Sequence, residues 1–183
     1  MKRKRSIPEM HRLTIDEYKD CQKLPIILVL DNIRSMNNIG SMFRTADAFR
    51  LEQLYLCGIT ATPPHTMIHK TALGAEESVD WTYFSDIQDA ITYLQEKKYT
   101  ICALEQASES VFPQSLHSHI GQEVKGIALI VGNEVHGVSD CVMSLIDHCI
   151  EIPQYGTKHS LNVSVATGIA LYELVKPFLP LIS

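Results

Sequence analysis

Apolar residues fall into short solid runs and longer amphipathic stretches that alternate along the chain. PIILVL (25–30), TICALEQ (100–106) and GIALIVG (126–132) read as strands, the two solid runs covered on both faces. Gln53–Cys57 and Cys149–Ile152 are shorter runs of the same kind. Between them, Ile39, Met42, Phe43, Ala46 and Phe49 recur at helical spacing and predict a helix over Asn38–Arg50. Ser85 is placed to cap a helix running through Lys97, and Thr14 with Glu17 fits a capping box opening a short helix near 15–22. The stretch ITATPPHTMIHKTALGAEE (59–77) is turn-rich and reads as a long functional loop with room for one helical turn. Strands alternating with helices predict an α/β fold, a mainly parallel sheet with helices on both faces.

A last helix is predicted over Ser160–Lys176, with Ser160 as its cap. Leu161, Val165, Gly168, Ile169 and Tyr172 form one stripe, and Val163, Ala166, Ala170, Leu174 and Val175 make the opposite side apolar too. A helix apolar nearly all round is covered on more than one side. In a chain of 183 residues the second cover is expected to be another copy, hence a homodimer; a helix sunk in its own core is the plainer alternative.

Composition fits one globular unit: 45% hydrophobic and 20% charged residues. Residues 1–24 read as a basic arm with a short helix, and 25–183 as the main domain. Leu24–Leu30 is too short to span a bilayer, and Lys2-Arg3-Lys4-Arg5 is not followed by the apolar stretch of a secretory signal. The expectation is a cytoplasmic protein without a membrane partner. Five cysteines lack paired metal-type spacing, so neither a metal site nor a disulfide frame is expected. The net charge of −5 weighs against nucleic acid, yet five of the 16 basic residues lie in the first 12 positions and can supply phosphate contacts.

Three polar clusters each follow a predicted strand: NNIGSMFR (37–44), GNEVHG (132–137) and IPQYGTKHSLNVS (152–164). Ligands of open parallel sheets bind beyond the carboxyl ends of the strands, so the three suggest one shared site. On the first helix Gly40 stands one turn before Arg44, leaving room for a ligand to approach the guanidinium, and Asn38 sits at the helix mouth. By helix pattern alone, a surface pair between Arg44 and Asp47 is the simpler explanation. A turn accounts equally well for Gly132-Asn133-Glu134. Ser160 and Asn162 serve as helix caps, or else the loop's backbone holds an adenine. No phosphate-binding loop or dinucleotide fingerprint is present, which disfavours a nucleotide-dependent oxidoreductase.

Taken together, NIGSMFR (38–44), GNEVHG (132–137) and IPQYGTKHSLNVSVA (152–166) resemble, in order and spacing, the three motifs of the SpoU (TrmH) family of SPOUT methyltransferases. KTALGAEESVDW (70–81) is also similar to the segment after the second strand in that family. The resemblance covers roughly 25–176 and implies a parallel α/β sheet with a C-terminal deep trefoil knot. It implies S-adenosylmethionine as cofactor, structured RNA as substrate and a homodimer with its active site near the interface. Matched by position, Arg44 falls at the reaction centre, with Asn38, Glu134, Ser160 and Asn162 around it. The backbone near Leu104, Gly132, Ile152 and Leu161 would line the cofactor pocket. Gln154 departs from the methionine common after the Ile-Pro pair. Without a separate N-terminal RNA-binding domain in this sequence, tRNA is expected over rRNA.

The reaction implied is in-line attack of a ribose 2'-oxygen on the sulfonium methyl, driven mainly by holding the reactants in line. An arginine is a poor base because it stays charged. Two roles for Arg44 stay open. The resemblance implies a base helped to lose its proton by a substrate phosphate, while the physical argument favours a cation that stabilises the developing alkoxide. Ser160 and Asn162 are expected to orient Arg44 or a phosphate, and Glu134 to fix the loop between subunits. The competing readings are a SPOUT-type base methyltransferase and a binding module of the same fold without catalysis.

Overall fold

The computed structural model describes residues 2–6, 8–121 and 123–181. Seven strands form one sheet, paired in parallel throughout: β1 (Leu24–Asp31), β2 (Leu51–Cys57), β3 (Trp81–Phe84), β4 (Tyr99–Leu104), β5 (Ser110–Val111), β6 (Gly126–Val131) and β7 (His148–Ile150). Their spatial order is β3-β2-β1-β6-β4-β7-β5. The solid apolar runs occupy the centre because each side of those strands faces a helical layer. Ile26, Leu28 and Leu30 of β1 enter one core, and Ile27 and Val29 the other.

The first core lies under α2 (Met36–Ala48), α3 (Thr66–Ala72), α4 (Ala75–Ser78) and α7 (Val163–Val175). Ile39, Met42, Phe43 and Ala46 of α2 are fully buried there, while Phe49 packs at its edge. On the other face, Ile87, Ala90, Ile91 and Leu94 of α5 (Ile87–Glu96) and Val142 of α6 (Asp140–Met143) close the second core. The expected α/β architecture with helices on both faces is thus observed. Thr14 and Glu17 make the reciprocal capping box at the start of α1 (Ile15–Asp20), whose Tyr18 is buried in the first core.

Three local expectations are corrected. The segment 59–77 is not a long loop: after Pro63-Pro64 it holds α3 and α4, with Ile68, Ala72 and Ala75 buried. Those positions have helical spacing, which the turn residues around them obscured. Asp86 rather than Ser85 caps α5. The last helix begins at Val163, not Ser160, because the Asn162 side chain accepts the N–H groups of Ser164 and Val165. The edge strands β3 and β5 escaped the pattern because half-covered edges lack solid apolar runs.

The two sides of α7 differ. Ala170, Leu171, Leu174 and Val175 are buried, whereas Leu161 before the helix and Val165, Ile169 and Tyr172 on it are exposed. All five cysteines are free thiols, and burial pushes that of Cys57 up to about 12. Among the described residues, no group of His, Cys, Asp or Glu is placed to hold a metal, and no helix is long and apolar enough to cross a membrane.

Candidate active site

β6, β4 and β7 stand side by side, and polar loops leave their carboxyl ends together. The result is a cleft of about 700 Å³. Leu104, Val131 and Ile150, the last residues of those three strands, line it together with Ile152 and Leu161. Gly132, Glu134, Ser160 and Asn162 also line it, so all four predicted cofactor positions and three of the five predicted catalytic ones border one cavity.

The loop after β6 is pinned on several sides. Asn133 and Gly137 exchange backbone hydrogen bonds of 2.8 and 2.9 Å, closing a tight turn. The buried Asn133 side chain accepts from the N–H groups of Val135 and His136 and donates to the Asn32 carbonyl at 2.7 Å. Glu105, just beyond β4, accepts the Val138 N–H at 3.1 Å, and the buried Asp31 carboxylate accepts that of Ser139 at 2.7 Å. A Cβ on Gly132 would lie 2.1 Å from both Gly137 C and Val138 N, so only glycine lets the turn fold back so closely.

That pinned loop presents Glu134 to the start of α2. Its carboxylate accepts the N–H groups of Arg34 and Ser35, each at 3.0 Å, and the Asn38 side-chain amide at 2.9 Å. Partial desolvation pushes the carboxyl upward, but the Arg34, Asn38 and Ser35 donors outweigh it and hold the group below its ordinary value. Glu134 is therefore an ionised anchor at the positive end of a helix, engaged with Arg34, Ser35 and Asn38 of its own chain. Asn38 continues the connection, since its side-chain oxygen accepts from the Asn162 amide at 3.2 Å while Asn162 caps α7. Glu134, Asn38 and Asn162 thus join the loops after β1, β6 and β7.

Arg44 lies elsewhere. It is exposed, makes no hydrogen bond or ion pair among the described residues, and borders a second, open groove with Ser41, Thr45, Lys70, Thr71 and Gly168. Within one chain, neither Ser160 nor Asn162 shares its groove. The alternative pairing with Asp47 is absent too; Asp47 instead accepts the Ser78 hydroxyl at 2.7 Å. The expected space beside Gly40 is filled: a Cβ there would meet Thr71 Oγ1 at 2.1 Å and the Ile68 carbonyl at 2.3 Å. Gly40 serves close packing of α2 on α3.

Glu105 and Gln106 lie outside the three polar clusters yet line the cleft, as do Asn133, Gln154 and His159 from within them. Gln106 donates to the His159 carbonyl at 2.7 Å and ties the β4 loop to the β7 loop. Only the position of Glu105-Gln106 at the end of a buried strand could have flagged them.

A cavity of this size suits a nucleoside-sized ligand. Its apolar walls fit an adenine and ribose, and its backbone and side-chain donors and acceptors fit the polar edges of S-adenosylmethionine. An open parallel sheet with such a cleft beyond its carboxyl ends defines a nucleoside-binding α/β protein. The SpoU rRNA Methylase family matches residues 25–172. The chain belongs to that family, and with it to the S-adenosylmethionine-dependent RNA methyltransferases.

Among similar proteins, the 23S rRNA (guanosine-2'-O-)-methyltransferase RlmB of Pasteurella multocida is 29% identical over 96% of this chain and 70% of its own length. The AdoMet-bound rRNA methyltransferase from Sinorhizobium meliloti superposes with a TM-score of 0.77 at 26% identity, covering 88% of this chain and 60% of that one. The A. aeolicus TrmH/SpoU tRNA modifying enzyme gives 0.72 at 29% identity, covering 86% and 76%. The chain therefore spans about two thirds of the length of these relatives.

Proposed function

We propose that this protein methylates a ribose 2'-hydroxyl in ribosomal RNA, in the cytoplasm and as a homodimer, with residues 25–183 forming the methyltransferase domain behind the arm of residues 1–24. The observation that carries this reading is the Glu134–Asn38–Asn162 connection, which gathers three separate loops around one cleft. The earlier preference for tRNA gives way because the Pasteurella and Sinorhizobium relatives bear rRNA names. The trefoil knot in the C-terminal part belongs to the same proposal.

When bound, S-adenosylmethionine supplies a methyl group already activated on a sulfonium. The chain's own residues do the rest. Leu104, Gly132, Ile152 and Leu161 hold the cofactor's nucleoside in the cleft. Glu134, with its oxygens engaged by N–H donors and its basicity reduced, sets the position of α2 and is not the proton acceptor. Arg44 remains cationic and stabilises charge developing on the 2'-oxygen. Arg44 reaches a cleft through dimerisation: Gly168 shares its groove, and the exposed face of α7 adjoins it. A second copy seated on that face would complete the site, with Ser160 and Asn162 at its rim.

The test is transfer of labelled methyl to deproteinised ribosomal RNA by wild type and by Arg44→Ala. The expected result is label in 2'-O-methylnucleosides, reduced at least about a hundredfold in the variant, with S-adenosylmethionine binding retained. Label in base-methylated nucleosides, or no transfer by a wild type that binds the cofactor, overturns the reading.

A further inference from the structure

The groove that holds Arg44 contains a second cation that none of the three motifs includes. Lys70, in the last turn of α3, borders the same space of about 600 Å³ as Arg44. Both side chains are exposed, and among the described residues neither makes a hydrogen bond or an ion pair. No acidic residue lines the groove. The contrast with the rest of the molecule is sharp: the chain is net −5, and a separate surface hollow is lined by Glu52, Glu76, Glu77 and Asp80.

The groove's hydroxyls are already committed. Ser41 donates to the Asn37 carbonyl at 2.9 Å, Thr45 to that of Ser41 at 2.9 Å, and Thr71 to those of Asn37 and Ile68 at 3.0 and 3.3 Å. The donors left to a ligand are the guanidinium and the ammonium, which suits a group that only accepts and carries negative charge. Lys70 is also held in register with Arg44. Gly40 lets α3 lie directly on α2, and the Thr71 hydroxyl bonds α3 to the Asn37 carbonyl, so the two cations sit on one rigid helix pair.

We propose that Lys70 binds a backbone phosphate of the substrate RNA and positions the strand, while Arg44 in the same groove stays at the 2'-oxygen of the reacting nucleotide. This rests on the proposed RNA ribose methylation and adds a substrate contact to it. The chain is net acidic, so outside the basic arm a groove with two unpaired cations and no lining carboxylate is a place where a polyanion's backbone gains.

The experiment compares wild type, Lys70→Ala and Lys70→Arg on deproteinised 23S rRNA, measuring RNA affinity across a salt series, KM and kcat for methyl transfer, and S-adenosylmethionine binding. Lys70→Ala is expected to weaken RNA binding and raise KM roughly tenfold, with kcat within a factor of about two. Its salt slope should fall by about one, Lys70→Arg should restore most of the loss, and cofactor affinity should stay at the wild-type value. Wild-type affinity and salt slope in Lys70→Ala, with RNA still methylated, overturn the assignment of Lys70 and leave the proposed function standing. A wild type that binds cofactor but no RNA overturns both.

Discussion

Glu134 shows how one side chain can look catalytic in a motif and be structural in its contacts. Its three N–H donors favour the ionised form, so the folded-state carboxyl titrates below the ordinary value of 4.5. A carboxyl depressed on folding stabilises the protein above its unfolded value, and that stabilisation is lost as pH falls through the folded one. Glu134→Gln removes this contribution. The melting-temperature gap between wild type and Glu134→Gln is expected to be widest near neutral pH and to narrow as pH drops below about 4.5. A gap independent of pH would show that the lost hydrogen bonds, and not the charge, account for it. Residue identities made the three motifs legible, but not their contacts. Ser160 and Asn162 are equally plausible caps in one dimension, and only the position of the α7 backbone decided for Asn162.

At the scale of elements, the α2–α3 pair governs the groove. Its close approach depends on Gly40, where the missing Cβ leaves room for the Thr71 hydroxyl and the Ile68 carbonyl. Neither a helix carbonyl nor a back-bonded hydroxyl yields readily, so Gly40→Ala must push the helices apart. The expected loss is about 1–3 kcal/mol in denaturant unfolding, with methyl transfer reduced more than cofactor binding because the cleft is built from other elements. Unchanged stability would mean that α3 shifts without resistance. The α3 and α4 helices were hidden in a segment rich in turn residues. Central strands, by contrast, advertise themselves, since burial on two faces leaves no polar position in the run.

For the whole molecule, the exposed apolar face of α7 is the feature a single chain leaves unaccounted for. Val165 is 51% and Tyr172 53% exposed while the opposite side is sealed in the core. If a second copy covers that face, Ile169→Glu buries an unpaired carboxylate at the contact, a penalty of several kcal/mol. Light scattering should then report twice the chain mass for wild type and the single-chain mass for the variant, with methyl transfer lost. A wild type of single-chain mass, or a variant that remains a dimer, argues against this interface and against a shared active site.

The sequence alone determined the α/β class, the central strands, the main amphipathic helices and the three polar clusters. These follow from periodicity and from where polar residues interrupt apolar runs, which are properties of neighbours along the chain. Tertiary structure decided what depends on distance through space: the seven-strand order, the enclosure of Gln106 and His159 in the cleft, and the placement of Arg44 in a different groove with Lys70. Glu134 lies 96 residues from Asn38, and Asn162 lies 124 from it. No local pattern specifies a contact over such separations; it exists because parallel strands deliver their following loops to the same end of the sheet.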